Sequence, residues 1–185
     1  MDIDWNNAVL LPIDMQRAFD APPWPRRWND HVDDNGIALL RRWRQAGRPI
    51  IHVRHDSVVD ASSLGPASEG NRFRPGFEPD DGEPVVSKSV NSAFIGTDLD
   101  LRLRRLGVRH IVTFGISTDM CVSTTVRTGA NMGWDMILAD DACDCFELPD
   151  GKGGRIPAEA MQAAHVATLG FEFCKVMPTG DLLKV

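Results

Sequence analysis

Three residues in this sequence are of types that together can open an amide bond: a thiol at Cys121, a carboxylate at Asp14 and an ammonium at Lys88. A thiolate that attacks a carbonyl splits one hard hydrolysis into two easier steps, with a carboxylate to carry the proton and a cation to stabilise developing charge. Each residue also has a plainer reading alone. Cys121 fits a small buried hydrophobe, Asp14 a cap for the following segment, and Lys88 a lysine snorkelling to the surface. The chemistry therefore depends on whether the fold brings the three together.

Cys121 lies in "FGISTDMCVSTTVRTG", residues 114–129. "HIVTF" (110–114) reads as a strand, Gly115 interrupts it, Ser117 and Thr118 are N-cap types, and "MCVSTTVRTGANMG" has helical spacing. That places Cys121 in a first helical turn, where unpaired N–H groups and the positive dipole end favour a thiolate and depress cysteine pKa values to about 3.5 to 7.5. The same turn aims N–H groups at whatever the sulfur attacks, and one such oxyanion donor is worth roughly 2.7 to 4 kcal/mol. Asp14 closes "AVLLPID" and Lys88 follows "PVVS", so each also leaves an apolar run.

The elements that must position these residues alternate. Apolar, β-branched runs at 8–13, 49–53, 84–87, 110–114, 135–139 and 171–176 read as six strands. Between them, "VDDNGIALLRRWRQAG", "TDLDLRLRRLG", "CVSTTVRTGANMG" and "AEAMQAAHVATLG" carry apolar helical stripes, each ending in a glycine of C-cap type. Such alternation predicts βαβ units on a parallel sheet, here one domain over residues 1–185. Two irregular segments, 20–31 and 55–83, leave carboxyl ends of strands, the edge at which open parallel sheets bind ligands. Asp14, Lys88 and Cys121 fall on that same edge.

A net charge of −6 without a basic cluster argues against nucleic acid. The N-terminus carries acids where a signal peptide has positive charge, and its apolar run is too short to span a bilayer, so a soluble cytoplasmic protein without membrane contact is expected. Four cysteines, Cys121, Cys143, Cys145 and Cys174, form no CxxC pair, so neither a disulfide framework nor a zinc site is expected. "DGKGGR" lacks the full phosphate-loop pattern.

The order and spacing of several stretches resemble the isochorismatase-like cysteine hydrolases: "LLPIDMQRAF", "IHVRHDS", "GEPVVSKSVNSAFIGTDLDLRL", "VTFGISTDMCVSTTVRTGANMGW", "LADDACDCF" and "AEAMQAAHVATLGFEF". The resemblance implies a three-layer, doubly wound α/β fold with a six-stranded parallel sheet and an Asp14–Lys88–Cys121 triad. It also implies a non-proline cis peptide between Ile116 and Ser117, with an oxyanion hole from the N–H groups of Ser117 and Cys121. The expected substrate pocket comprises Phe19, where the family places an aromatic wall, with Gln16, Trp24, Phe94 and Ile116. Aromatic loop residues can enclose a small planar or apolar acyl group, although packing under a loop is the alternative for each, as for Trp28 and Phe146. Arg54, Arg72 and Arg74 are of a type that clamps a carboxylate, or they are simply solvated.

Nicotinamidases in this family hold a metal through an aspartate, a histidine two residues on and a further histidine. Here His55 precedes Asp56 and no second histidine follows until His110, so neither metal nor cofactor is expected, and His52 and His55 read as hydrogen-bonded structural residues. True isochorismatases lack a cysteine at the nucleophile position. The resulting expectation is a cofactor-free amidohydrolase of a small-molecule amide or ureide, forming a homodimer or homotetramer. A vinyl-ether hydrolase and a catalytically silent binding protein of the same fold are the alternatives.

Overall fold

Ala8–Ile13 is apolar throughout, and a strand apolar on both faces can only sit inside a sheet. In the computed structural model, which describes residues 3–25 and 27–185, this strand, β1, is fully buried between two parallel neighbours. The others are β2 (His52–His55), β3 (Val85–Lys88), β4 (His110–Gly115), β5 (Asp135–Leu138), a short antiparallel hairpin of β6 (Leu148–Pro149) and β7 (Arg155–Ile156), and β8 (Cys174–Val176). The six-stranded sheet has the order β3-β2-β1-β4-β5-β8 and every pairing in it is parallel. This is the doubly wound α/β fold, and its order reverses between β1 and β4.

The helices are α1 (Val32–Gln45), α2 (Leu99–Leu106), α3 (Ser123–Asn131), α4 (Ala158–Glu172) and the short α5 (Thr179–Leu182). The right-handed crossover rule sends α1 to one face and α2, α3 and α4 to the other. Accordingly α1 packs against α5 and α3 against α4. On α1 the buried side chains Leu39, Leu40 and Trp43 recur at helical spacing, which is the stripe visible in the sequence. No described helix is long and apolar enough to cross a membrane.

Glycines mark both the agreements and one correction. Gly47 and Gly107 follow α1 and α2 with φ of +64° and +68°, as left-handed C-caps require. Gly170 does not cap: α4 runs on to Glu172, so β8 starts at Cys174 and the expected strand 171–176 loses its first half. A Cβ on Gly170 would lie 3.0 Å from Val176 Cγ2, so this glycine lets α4 approach β8. "DGKGGR" is the hairpin turn between β6 and β7, with Asp150 Oδ1 accepting from the N–H groups of Lys152 and Gly154.

The long connection between β2 and β3 is held by Asn71. Its side-chain amide donates to the carbonyls of His55 and Leu64 and to Asp56 Oδ1. Buried polar groups satisfied in this way fix a loop as firmly as a strand would.

Candidate active site

Two of the three reactive side chains sit at carboxyl-terminal strand ends, and the third lies in the turn that follows another such end. Asp14 follows β1 directly and adopts φ +53°, in the left-handed region that aspartate tolerates better than most residues. Lys88 is the last residue of β3, and Cys121 lies in a π-helical turn, Thr118–Val122, between β4 and α3. At the end of β4, Gly115 has φ +144°, and a Cβ there would stand 2.0 Å from the Ile13 carbonyl oxygen. Only glycine allows β4 to close on β1 at this point, where the chain turns toward Cys121. The Ile116–Ser117 peptide is cis.

The structure brings the three side chains together. Lys88 Nζ donates to Asp14 Oδ2 at 2.7 Å and to Cys121 Sγ at 3.2 Å, with Lys88 and Asp14 shielded from solvent. It also meets His55 Nδ1 at 3.1 Å. His55 and Lys88 are register partners across β2 and β3, so the sheet itself places them side by side. Burial lowers the basicity of Lys88, but its ion pair with the Asp14 carboxylate and its hydrogen bonds to Asp14 and the Cys121 sulfur outweigh this and keep the ammonium charged.

The expected depressed thiol is reversed. Burial pushes the Cys121 thiol up, and the Asp14 carboxylate adds to this against the opposing effect of Lys88. In the resting site the sulfur is therefore a thiol beside a preformed ion pair. A helix start alone would favour the thiolate, but here burial is the larger effect and the Asp14 carboxylate, within 4.8 Å of the sulfur, adds to it.

A cavity of about 250 Å³ opens above these groups. Asp14, Ser117 and Cys121 form its floor, while Phe19, Trp24, Leu64 and Met120 supply apolar walls. His55, Ser57, Ser62 and Asn91 complete the lining. Two buried polar atoms on the floor, Asp14 Oδ1 and Ser117 Oγ, have no hydrogen-bond partner among the described residues. Unpaired polar groups at a cavity floor are suited to receive a polar ligand.

Of the residues expected to line the pocket, Phe19 and Trp24 do so, with ring centroids 4.8 Å apart, and Phe146 stacks 5.1 Å behind Trp24. Gln16 lies outside the lining. It is fully buried and holds the β2 end, accepting from the His55 N–H and donating to the carbonyls of His55 and Asn71. Phe94 packs beneath α3 instead, where a Cβ on Gly129 would come within 3.0 Å of its ring. Ile116 is wholly buried next to the floor residue Ser117. Trp28 is partly exposed outside the cavity. The three arginines are occupied: Arg54 with Asp56, Arg72 with Glu69, and Arg74 with Asp33 and Asp20.

Two contributors escaped the sequence reading. His55 faces the cavity and Lys88, whereas His52 is structural, bonded to Glu83. Asp144, between two cysteines that drew more notice, is buried and joins two parts of the site. Its carboxylate accepts from the N–H groups of Trp28, Asn29 and Cys145 and pairs with Arg27, while its carbonyl accepts from the Thr118 N–H at the start of the nucleophile turn. No spacing or charge pattern marks this bridge, which becomes visible only when the two loops are seen in contact. Arg26, within the 20–31 segment, and the N-terminal Met1 and Asp2 lie outside the described residues.

Donor atoms of Asp14, His55 and Cys121 lie within 4.8 Å of one another, close enough to suggest a metal. The Lys88 ammonium, however, already stands against all three. A divalent ion would have to share this space with a buried positive charge, so the donor set does not fit one.

Comparison with known proteins agrees with this arrangement. Residues 8–154 match the isochorismatase domain model. The isochorismatase family protein YrdC of Bacillus subtilis is 34% identical over 175 residues, covering 95% of this chain and 94% of that one. Nicotinamidase 3 of Arabidopsis thaliana is 27% identical over 188 residues, with 95% and 86% coverage. The crystal structure of an isochorismatase family protein from Chromobacterium violaceum superimposes with a TM-score of 0.95 at 40% identity, covering 100% of this chain and 95% of that one. With the sheet order, the strand-end residues and these matches in agreement, the chain belongs to the isochorismatase-like hydrolase family.

Proposed function

We propose that this protein is a cysteine amidohydrolase that cleaves the C–N bond of a small-molecule amide or ureide without a cofactor. The observation that carries this reading is the contact of Lys88 Nζ with both Asp14 Oδ2 and Cys121 Sγ at a cavity floor. In the proposed cycle Asp14 takes the thiol proton as Sγ attacks the substrate carbonyl, and Lys88 offsets the charge on the sulfur and carboxylate. The N–H groups of Ser117 and Cys121 receive the oxyanion. The C–N bond then breaks, the leaving nitrogen takes the proton from Asp14, and a thioester remains on Cys121. Water, deprotonated by Asp14, attacks the thioester, and the released thiolate recovers that proton. The similar nicotinamidase is named for an amide substrate, which favours C–N cleavage over the vinyl-ether alternative.

The test is ammonia release from a panel of small amides and ureides, with the thioester trapped by acid quench and weighed by mass spectrometry. Cys121→Ala is expected to abolish both signals without altering the circular dichroism spectrum. Full amidase rate in that variant would remove Cys121 from the mechanism, and ligand binding without turnover would identify a silent scaffold. A cytoplasmic homodimer or homotetramer is part of this proposal. Phe171, 90% exposed on α4, offers apolar surface for self-association, and a 20.4 kDa particle by light scattering would discount it.

A further inference from the structure

The three hydrogens of the Lys88 ammonium have three acceptors: Asp14 Oδ2, Cys121 Sγ and His55 Nδ1. Nδ1 can accept only if it carries no proton, so the proton of the neutral ring must sit on Nε2. Burial first, and then the Lys88 charge, hold the His55 ring toward its neutral form. Nε2 has no partner among the described residues, and His55 lines the cavity. The residue is fixed on the backbone side as well, its N–H bonded to Gln16 Oε1 and its carbonyl accepting from Gln16 and Asn71. A rigid donor is thus presented to whatever fills the cavity.

The rest of the lining defines what that donor can meet. Phe19, Trp24, Leu64 and Met120 offer no charge, and the charge of Lys88 is matched by Asp14. Arg54, Arg72 and Arg74 are each paired with acids. Among the described residues, a carboxylate entering the cavity would lose its hydration and gain no unpaired cation. A carbonyl oxygen would gain the His55 N–H and lose far less.

We propose that His55 is a specificity-determining residue whose Nε2–H binds a carbonyl oxygen of an uncharged acyl group, so that the site takes neutral small amides and ureides and rejects their carboxylate analogues. This rests on the amidohydrolase reading above and names its substrate class.

Succinamide and succinamate, which differ by one amide replaced with a carboxylate, provide the test. The wild type is expected to favour succinamide by at least about tenfold in kcat/KM. His55→Asn keeps an acceptor near the Nδ1 position and removes the Nε2 donor. It should raise KM for succinamide about tenfold while kcat stays within about threefold, the loss expected for one hydrogen bond made equally in ground and transition states. His55→Gln, which returns a donor near the Nε2 position, should recover most of the KM. Nitrogen-15 NMR of the resting enzyme should report the Nε2–H tautomer of His55. An Nδ1–H tautomer, equal or preferred turnover of succinamate, or an unchanged KM in His55→Asn would overturn the inference and leave the amidohydrolase reading standing. Turnover of neither compound, nor of any amide or ureide in the wider panel, would overturn both.

Discussion

Replacing Asp14 with asparagine should make Cys121 more reactive and the enzyme inactive. The resting thiol is held protonated by burial and the Asp14 carboxylate, with Lys88 at 3.2 Å acting in the opposite sense. Oxygen and sulfur lie within 4.8 Å. At that distance and an effective dielectric constant of about 20, the carboxylate disfavours the thiolate by about 3.5 kcal/mol. The asparagine amide would remove the charge, conserve the shape and still accept from Lys88, leaving the ammonium to act on the sulfur alone. The thiolate population at fixed pH should rise at least about tenfold, and by about 300-fold if solvent screens none of the interaction. The assay is the rate of iodoacetamide alkylation at pH 7, read on the Cys121 peptide by mass spectrometry, since Cys145 and Cys174 are also present but held up to about 12 by burial. Hydrolysis should fall about a thousandfold, because no group remains to carry the thiol proton. Lys88→Met should slow alkylation relative to the wild type. Alkylation of the Asp14→Asn protein at or below the wild-type rate would refute the electrostatic account, and hydrolysis above a tenth of wild type would remove Asp14 as the base.

Asp144→Ala should destabilise the fold by about 3 kcal/mol and lower kcat/KM at least tenfold, because three backbone N–H groups lose their acceptor and Arg27 keeps only Asp20 of its two carboxylate partners; limited proteolysis should then cut within 20–31. Gly115→Ala, which would drive a methyl to 2.0 Å from the Ile13 carbonyl oxygen, should prevent accumulation of folded protein at 37 °C, and a variant with wild-type denaturant midpoint would disprove the close approach. Glu83 gives a pH signature. Burial alone would raise its carboxyl, but donation from Arg44, the Asp80 N–H and His52 outweighs this and holds it at about 2. A depressed carboxyl contributes stability that is complete above about pH 4.5 and is lost as pH falls toward 2. Glu83→Gln should therefore cost about 1 to 2 kcal/mol at pH 7, after allowance for solvent screening, and flatten the stability profile across that window in urea titrations.

The three reactive residues were legible because Asp14 and Lys88 each end an apolar run and Cys121 lies in the turn that follows another, and a parallel sheet collects such ends at one edge. Side-chain aim was less accessible. Phe94 and Gln16 lie near the site in sequence, but one fills the notch above Gly129 and the other ties down the end of β2. Nothing in their spacing distinguishes those roles from contact with substrate. His55 was recoverable in principle, since it closes β2 as Lys88 closes β3, and adjacent parallel strands place such residues side by side. The thiol's protonation state was out of reach because it depends on a charge more than a hundred residues away in sequence. The extension of α4 past Gly170 has a similar origin: the helix-stop signal was real, but contact with Val176 gave that glycine another use.

The four-residue strand β3 lies at one margin of the sheet and has a single neighbour, β2. Margins open more readily than interiors, and brief openings of this kind require much less free energy than melting the whole molecule. Asp14 and the turn carrying Cys121 are anchored at the middle of the sheet, whereas Lys88 depends on that outermost strand. Warming should therefore silence the protein before it denatures, by withdrawing the ammonium from an otherwise intact centre. Cooling should restore it without refolding, so heat inactivation would report the fraying of one strand.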